Sequence, residues 1–283
     1  MTRLLPILIY LCPSVLAAQR YEAFGPPVLV PITGYDGDVM EPFVTRDGRY
    51  LLFNNRNDAQ TNTDLHIAWI QGPVSIHYLG PVRGANGAAL DAVASVDQHY
   101  RLYFVSTRDY FQTLDSLFRA DLTKTWAYQV NPVPGVSMHR PGALIFDAEI
   151  SADGQTLWLV DGEFSGASLP DRADLSFAVR DKDGFRRPAD AASVMAAVNS
   201  SALEYAPSVS ADGLELFYTR FVPAEGFSVW RSTRPAPDAA FNPPERVSAI
   251  PANAEATTIT PDGRALYFHA LVDNRYVLMR VAR

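Results

Sequence analysis

Acidic side chains recur in this sequence at a fixed place relative to a repeated turn signal. The signal reads Ser or Thr, any residue, Asp, Gly, and six residues before its Asp stand Glu41, Asp91 and Asp147, with Ala206 and Ala256 in the last two copies. Those last copies carry acids close by, at Glu204 and Glu255, and Asp36, Asp38 and Glu149 enlarge the set. Carboxylates brought to one place can do three kinds of chemistry. Two of them held about 5–9.5 Å apart, one with a raised pKa, form the acid–base pair of glycoside hydrolysis, and Glu41, Asp91, Asp147, Glu149 and Glu204 are the catalytic candidates. Hard oxygen ligands also suit a cation such as Ca2+, for which Glu41, Asp91 and Asp147 are the first choice; nothing else in the sequence asks for a cofactor. The third role is structural: capping strands or pairing with Arg56, Arg108 and Arg220, which follow the second strand of their repeats. As a ligand-binding surface the candidates are Asp38, Glu41, Arg56, Asp91, Arg108, Asp147, Tyr205, Arg220, Glu255 and His269.

Other chemistries find no support in the residues. His66, His77, His99 and His139 share no zinc-ligand spacing. Gly162-Glu-Phe-Ser-Gly166 misses the nucleophile-elbow pattern, and there is no glycine-rich phosphate loop. A formal charge of −7 gives no basic face for nucleic acid.

The elements that must position these residues are written into the repeat. It occurs as Thr45-Arg-Asp-Gly48, Ser95-Val-Asp-Gln98, Ser151-Ala-Asp-Gly154, Ser210-Ala-Asp-Gly213 and Thr260-Pro-Asp-Gly263. Its Asp residues are 50, 56, 59 and 50 positions apart, a period that marks propeller blades. Asp-Gly between apolar runs makes a tight hairpin, since Gly accepts positive φ and Asp bonds the turn backbone. The runs that follow, such as Leu51-Leu52-Phe53 and Leu216-Phe217-Tyr218, are second strands; Asp64–Trp69, Phe227–Trp230 and Tyr276–Met279 are third strands. Weaker fourth strands fall around Ser75–Tyr78, Trp126–Val130 and Glu245–Val247. The second repeat has Gln98 for Gly and an extra residue, which predicts a distorted or longer turn. Pro188–Asn199 is Ala-rich and predicts a short helix or irregular insertion.

The fifth repeat runs out at Arg283 after its third strand. Ala23-Phe-Gly-Pro-Pro-Val-Leu-Val30 echoes Ala240-Phe-Asn-Pro-Pro-Glu-Arg-Val247, the fourth strand of repeat four. The expected fold is therefore all-β: a five-bladed propeller of four-stranded antiparallel blades, with the N-terminal strand completing the last blade and closing the ring.

Arg3, the apolar run Leu4 to Leu16 and a small-residue cleavage site at Val15-Leu16-Ala17 or Leu16-Ala17-Ala18 predict a signal peptide over residues 1–18. Residues 19–283 then form one domain. The only cysteine, Cys12, falls inside that segment after Leu11 rather than a small residue, so neither lipidation nor a disulfide is expected. The protein should be periplasmic or secreted and a monomer, with no membrane insertion after cleavage. With 48% hydrophobic and 19% charged residues it can hold together by burial alone.

The blade signature, carried best by Pro207 to Tyr218 and by Glu41-Pro-Phe-Val-Thr-Arg-Asp-Gly48, resembles that of the TolB-like, WD-like propeller family. Two departures stand out: no room is left for the N-terminal domain that TolB adds, and five blades is fewer than that family's usual number. Other five-bladed propellers include secreted glycosidases and a sugar-binding lectin. The resemblance implies an exported module that binds a peptide, an envelope protein or a glycan at the mouth of its axial channel. The alternative is a secreted, glycan-acting hydrolase using the carboxylates there. A structural part of an envelope assembly is a third reading. Aromatics beside the strand starts, including Tyr35, Phe43, Phe146, Phe164, Tyr205 and Phe221, would wedge between blades or floor a site.

Overall fold

The computed structural model describes residues 22–57 and 62–283; the expected signal peptide and Cys12 lie outside them. Each copy of the repeat becomes one antiparallel sheet, and five sheets surround an axis. The innermost strands are Met40–Val44, Asp91–Val96, Ala143–Ile150, Leu203–Val209 and Ala254–Ile259. Among the described residues helix is confined to two single turns, Tyr110–Thr113 and Ala191–Val194, the latter inside the Ala-rich stretch. No described helix is long and apolar enough to cross a membrane.

The second strands read as unbroken apolar runs because both their faces are covered. Phe217 points into the seam between blades four and five, while Leu216 and Tyr218 fill the seam between blades three and four. Each seam holds one apolar cluster in this way, so burial is distributed around the ring.

The fifth blade closes as the echo predicted. Val28–Leu29 pairs antiparallel with Arg280 and Met279, as Glu245–Arg246 pairs with Arg231 and Trp230 in blade four. Gly25 N–H donates to Ala282 O at 2.7 Å and Val30 N–H to Leu278 O at 2.9 Å. A further short strand, Ile32–Thr33, runs parallel to the outer strand Ser75–Pro81 and gives blade one a fifth member.

The turn signal works through its side chains. The hydroxyls of Thr45, Ser151, Ser210 and Thr260 donate to the Asp two residues on at 2.6–2.7 Å. Each Asp then accepts the amide two residues further, and each Gly takes φ near +70°. Arginines ending the third strands lock three turns. Arg180, Arg234 and Arg283 donate to the carbonyls of Gly154, Gly213 and Gly263 and lie over Phe185, Phe241 and Phe24.

Blade two corrects the expected alignment. Its turn starts at Asp97, not Ser95: the Asp97 carboxylate accepts His99 and Arg101 amides at 2.8 and 3.0 Å, and Tyr100 takes φ +60° where the others have Gly. The turn is tighter by one residue, because Asp97 bonds Arg101 O whereas Thr45 bonds Tyr50 O. The counterpart of Glu41 in blade two is therefore Val93, and Asp91 stands level with Glu204.

Candidate functional site

Every innermost strand bulges against its second strand, and this shapes the axial channel. The breaks in register fall between Met40 and Phe43, Ala92 and Ser95, Ile145 and Asp147, Tyr205 and Ser208, and Glu255 and Thr258. At four of them a residue takes positive φ: Glu41, Val93, Ala206 and Ala256. A bulge in this conformation turns an amide out of its own ladder, here toward the preceding blade. Val93 N–H donates to Asn54 Oδ1 at 3.1 Å, Ala256 N–H to Thr219 Oγ1 at 3.0 Å, and Glu41 N–H to His269 Nδ1 at 3.2 Å. Asp147 faces the Ala206 amide in the same way. His269 thus takes its place in a repeated layer of acceptors. Its ring is fully buried, and burial lowers its pKa to about 3, so it is neutral. Since Nδ1 accepts, the proton sits on Nε2, which faces Glu255 Oε1 at 3.9 Å.

A second acceptor layer lies deeper. Thr258, Ser208, Glu149 and Ser95 accept the amides of Val44, Ile259, Val209 and Ile150 at 2.9–3.2 Å, each from the following blade. Glu149 also pairs with Arg46 at 3.1 Å, and Arg46 reaches on to Ile150 O. Arg46 belongs to blade one and Glu149 to blade three, so this pair bridges the ring beneath the axis. Burial raises the Glu149 pKa against the lowering pull of Arg46. Glu149, one of the catalytic candidates, thus holds blade three to blade four and to blade one.

The structure disperses several other candidates too. Asp91 is buried against Arg108 at 2.5 Å and accepts the Gly87 amide. Glu204 is buried against Arg220 at 2.7 Å and accepts the Ser200 amide and hydroxyl. Asp38 is held by Arg56 at 2.9 Å and by the Tyr276 amide; those bonds outweigh its partial burial and lower its pKa. All three arginines also stack on aromatic rings. In each pair a charge-assisted hydrogen bond fixes the carboxylate on its arginine. Asp91, the third carboxylate offered for calcium, is turned to Arg108 and does not line the axial void that Glu41 and Asp147 line. Among the described residues no three His, Cys, Asp or Glu side chains converge on a metal position.

What remains at the axis is Glu41, Asp147 and Glu255 with Tyr205. Beneath them Glu41, Asp147, Glu149, Ala206 and Thr257 line a void of about 20 Å³, room for one water. A sugar ring cannot enter the channel; it can only rest across the mouth. Glu41 keeps part of its surface open to the channel while lying deep in the ring, and burial reinforced by Asp147 and Glu255 raises its pKa well above the carboxylate range. Burial lifts Asp147 to about 8, with Glu149 adding to the rise and the Ala206 and Ala148 amides opposing it. Glu255 rises to about 7 through burial, opposed by the Tyr205 hydroxyl that donates to its Oε2. Burial thus raises all three axial carboxyls above the ordinary carboxylate range. Phe164, Phe146 and Tyr205 form a row of edge and tilted contacts at 5.4 and 6.0 Å that leads from the rim to Glu255. Tyr276 packs against His269 on the other side.

Arg46 is not among the residues singled out by the acid pattern of the sequence. Arg46 did carry a signal: it occupies the variable place of the turn motif, where realigned blade two has Gln98 and the other copies have Ala, Ala and Pro.

No family model matches the sequence, and no curated protein matches it. Among solved structures, one described as a glycoside hydrolase aligns at TM-score 0.62 with 13% identity, over 93% of this protein and 90% of that one. A structure described as a complex of BT0996 and RGII aligns at TM-score 0.60 with 13% identity, over 90% and 89%. The catalytic domain of a Coprinopsis cinerea GH62 α-L-arabinofuranosidase aligns at 0.55 with 14% identity, over 92% and 96%. TolB is also among the matches, at 0.47, a likeness that carries no argument. What these alignments establish is the fold: an all-β, five-bladed propeller similar to those of glycoside hydrolases.

Proposed function

We propose that this protein is a glycan-acting hydrolase whose reaction takes place across the mouth of the axial channel. The observation that carries the reading is the meeting of Glu41 and Glu255 on neighbouring innermost strands at the channel, where burial raises both carboxyls above the ordinary range and Glu255 adds to the rise of Glu41. A carboxyl raised in this way can hold a proton to donate near neutral pH, as an acid–base pair requires. Glu41, kept protonated by burial and by Asp147, donates its proton to the leaving oxygen as the glycosidic C–O bond breaks. Glu255, ionised and oriented by Tyr205, takes the proton of the water that adds to the anomeric carbon. The row Phe164–Phe146–Tyr205 offers apolar faces on which sugar rings pack. The propeller likeness to glycoside hydrolases supports the same reading.

The test is release of reducing sugar from a panel of arabinose-branched and pectic glycans. Wild type should release it and Glu41→Gln should not, with both proteins folded. A specific observation favours a second reading, a non-catalytic glycan binder: Asp38, Asp91, Glu149 and Glu204 are all engaged by arginines, so few carboxyls remain for chemistry. Calorimetric binding of a glycan with no turnover would select it. Export to the periplasm or medium, suggested by residues 1–18, is checked by N-terminal sequencing of the mature protein.

A further inference from the structure

Several seams open into cavities on the face opposite the carboxyl mouth, and the seam between blades five and one is one of them. A cavity of about 450 Å³ opens there, lined by Val44, Ile70, Gln71, Pro73, Tyr267 and Arg280, with the Asp47 and Asp262 turns at its edge. That volume falls within the range of small-molecule sites, about 300–1,000 Å³.

Arg280 is the telling residue. It sits opposite Tyr267 in the ladder, so both side chains leave the sheet on one face. Tyr267 donates its hydroxyl to Pro73 O of blade one at 2.8 Å, which shows that this face looks into the seam. Two other blades place arginine at the matching position. Arg119, opposite Tyr103, donates to Asp183 O at 2.9 Å. Arg231, opposite Phe217, pairs with Glu215 at 2.9 Å. Arg280 differs from both in having neither a carboxylate nor a carbonyl partner among the described residues. Its Nε is buried without a hydrogen-bond partner, and its guanidinium engages only Tyr267, lying 5.7 Å from the ring centre. A buried donor left in this state is destabilising, and a ligand that accepts from it would relieve the cost.

We propose that this seam is a binding site for a small carboxylate, held by Arg280. Arginine's planar fork matches a carboxylate, and the apolar walls of Val44, Ile70 and Pro73 suit the body that carries it. The rim acids do not compete. Asp47 is occupied by Thr45, Arg49 N–H and Tyr100, and Asp262 by Thr260 and Arg264 N–H. Arg46, the other cation lining the cavity, is committed to Glu149. One uncompensated positive charge beside two acidic turns favours a monoanion over a dianion. The site is independent of the reaction proposed for the axial mouth.

Calorimetric titration of the wild-type protein at low salt tests this, with sodium D-galacturonate, sodium hexanoate, D-galactose and inorganic phosphate as probes. Binding of at least one carboxylate, tenfold or more tighter than galactose and phosphate, is expected; the two carboxylates distinguish an acidic sugar from a non-sugar acid. Arg280→Gln should weaken that binding at least tenfold, while Arg264→Gln, an exposed cation outside the cavity, should leave it unchanged. Gln71→Trp, which fills the cavity from its exposed edge, should abolish binding and covers the case in which Arg280→Gln does not fold. Unaltered affinity in Arg280→Gln or Gln71→Trp, galactose binding as tight as galacturonate, or no heat with either carboxylate would overturn the proposal.

Discussion

Replacing Arg220 by Met should unfold the fourth blade's neighbourhood far more readily than a surface change would. Glu204 is completely buried and Arg220 is 14% exposed, with 2.7 Å between their atoms. Arg220 also donates to Val198 O at 2.9 Å and lies 4.4 Å from the Trp230 ring centre. Removing the cation leaves a carboxylate buried with only Ser200 to bond it. Breaking one side of a buried pair costs about 3–5 kcal/mol, and the lost stacking on Trp230 adds about 0.5–2 kcal/mol. The expected loss is therefore about 3.5–7 kcal/mol, a large share of a typical domain's stability. Glu204→Gln combined with Arg220→Met removes both charges and should recover part of it, with a coupling of about 2–3 kcal/mol. Urea unfolding followed by tryptophan fluorescence on wild type, both single variants and the double closes the cycle. An Arg220→Met cost below about 1 kcal/mol, or strict additivity, would refute the structural role assigned to Glu204 and reopen it as a catalytic candidate.

The axial carboxyls predict a pH dependence of the opposite sign to that of an ordinary ion pair. Asp147 and Glu255 rise to about 8 and 7 and Glu41 rises as well, so the folded state holds protons that the unfolded chain has lost. Their stabilising contribution is complete below about pH 4 and disappears as pH climbs through 7–8, with a slope of up to about 1.4 kcal/mol per pH unit per group. Thermal melts at pH 5, 7 and 9 should show falling stability, and Asp147→Asn should flatten the trend; a wild-type profile that rises from pH 5 to 9 contradicts it. At the acid end Asp38, Asp47 and Asp262, whose pKa values are lowered by their bonds, lose their contribution as pH drops below about 4. Deleting residues 22–30 should leave the Arg275–Ala282 strand as an open edge and empty the seat of Phe24 against Phe217. Size-exclusion chromatography should then show aggregation, relieved by adding the excised segment as a peptide; a monodisperse truncated protein would contradict ring closure by Val28–Leu29.

The architecture could be read because a blade repeats its own grammar. The echo between Ala23–Val30 and Ala240–Val247 gave the closing strand in register, since the same seat for Phe24 and Phe241 is built twice. The site was harder to read, for two physical reasons. Counting back from Asp97 placed Asp91 with Glu41, but Asp97 does the work of Ser or Thr in its turn, so the count slipped by two. The second reason is that acids on innermost strands face either the open channel or the next blade, and bulges decide which. Glu149 and His269 look like ligand residues in the sequence and turn out to accept backbone amides across seams. Those partners come from strands 60 and 228 residues away, a separation that no local pattern announces.

The most direct test of the central claim is turnover in two carboxamide variants. Wild type, Glu41→Gln and Glu255→Gln would be compared on arabinose-branched and pectic glycans, with reducing-sugar release and glycan binding measured on the same samples. The account predicts hydrolysis by wild type, a loss of at least about a hundredfold in each variant, and retained binding. Equal hydrolysis by wild type and Glu41→Gln, or glycan binding by a wild type that releases no reducing sugar, would contradict it.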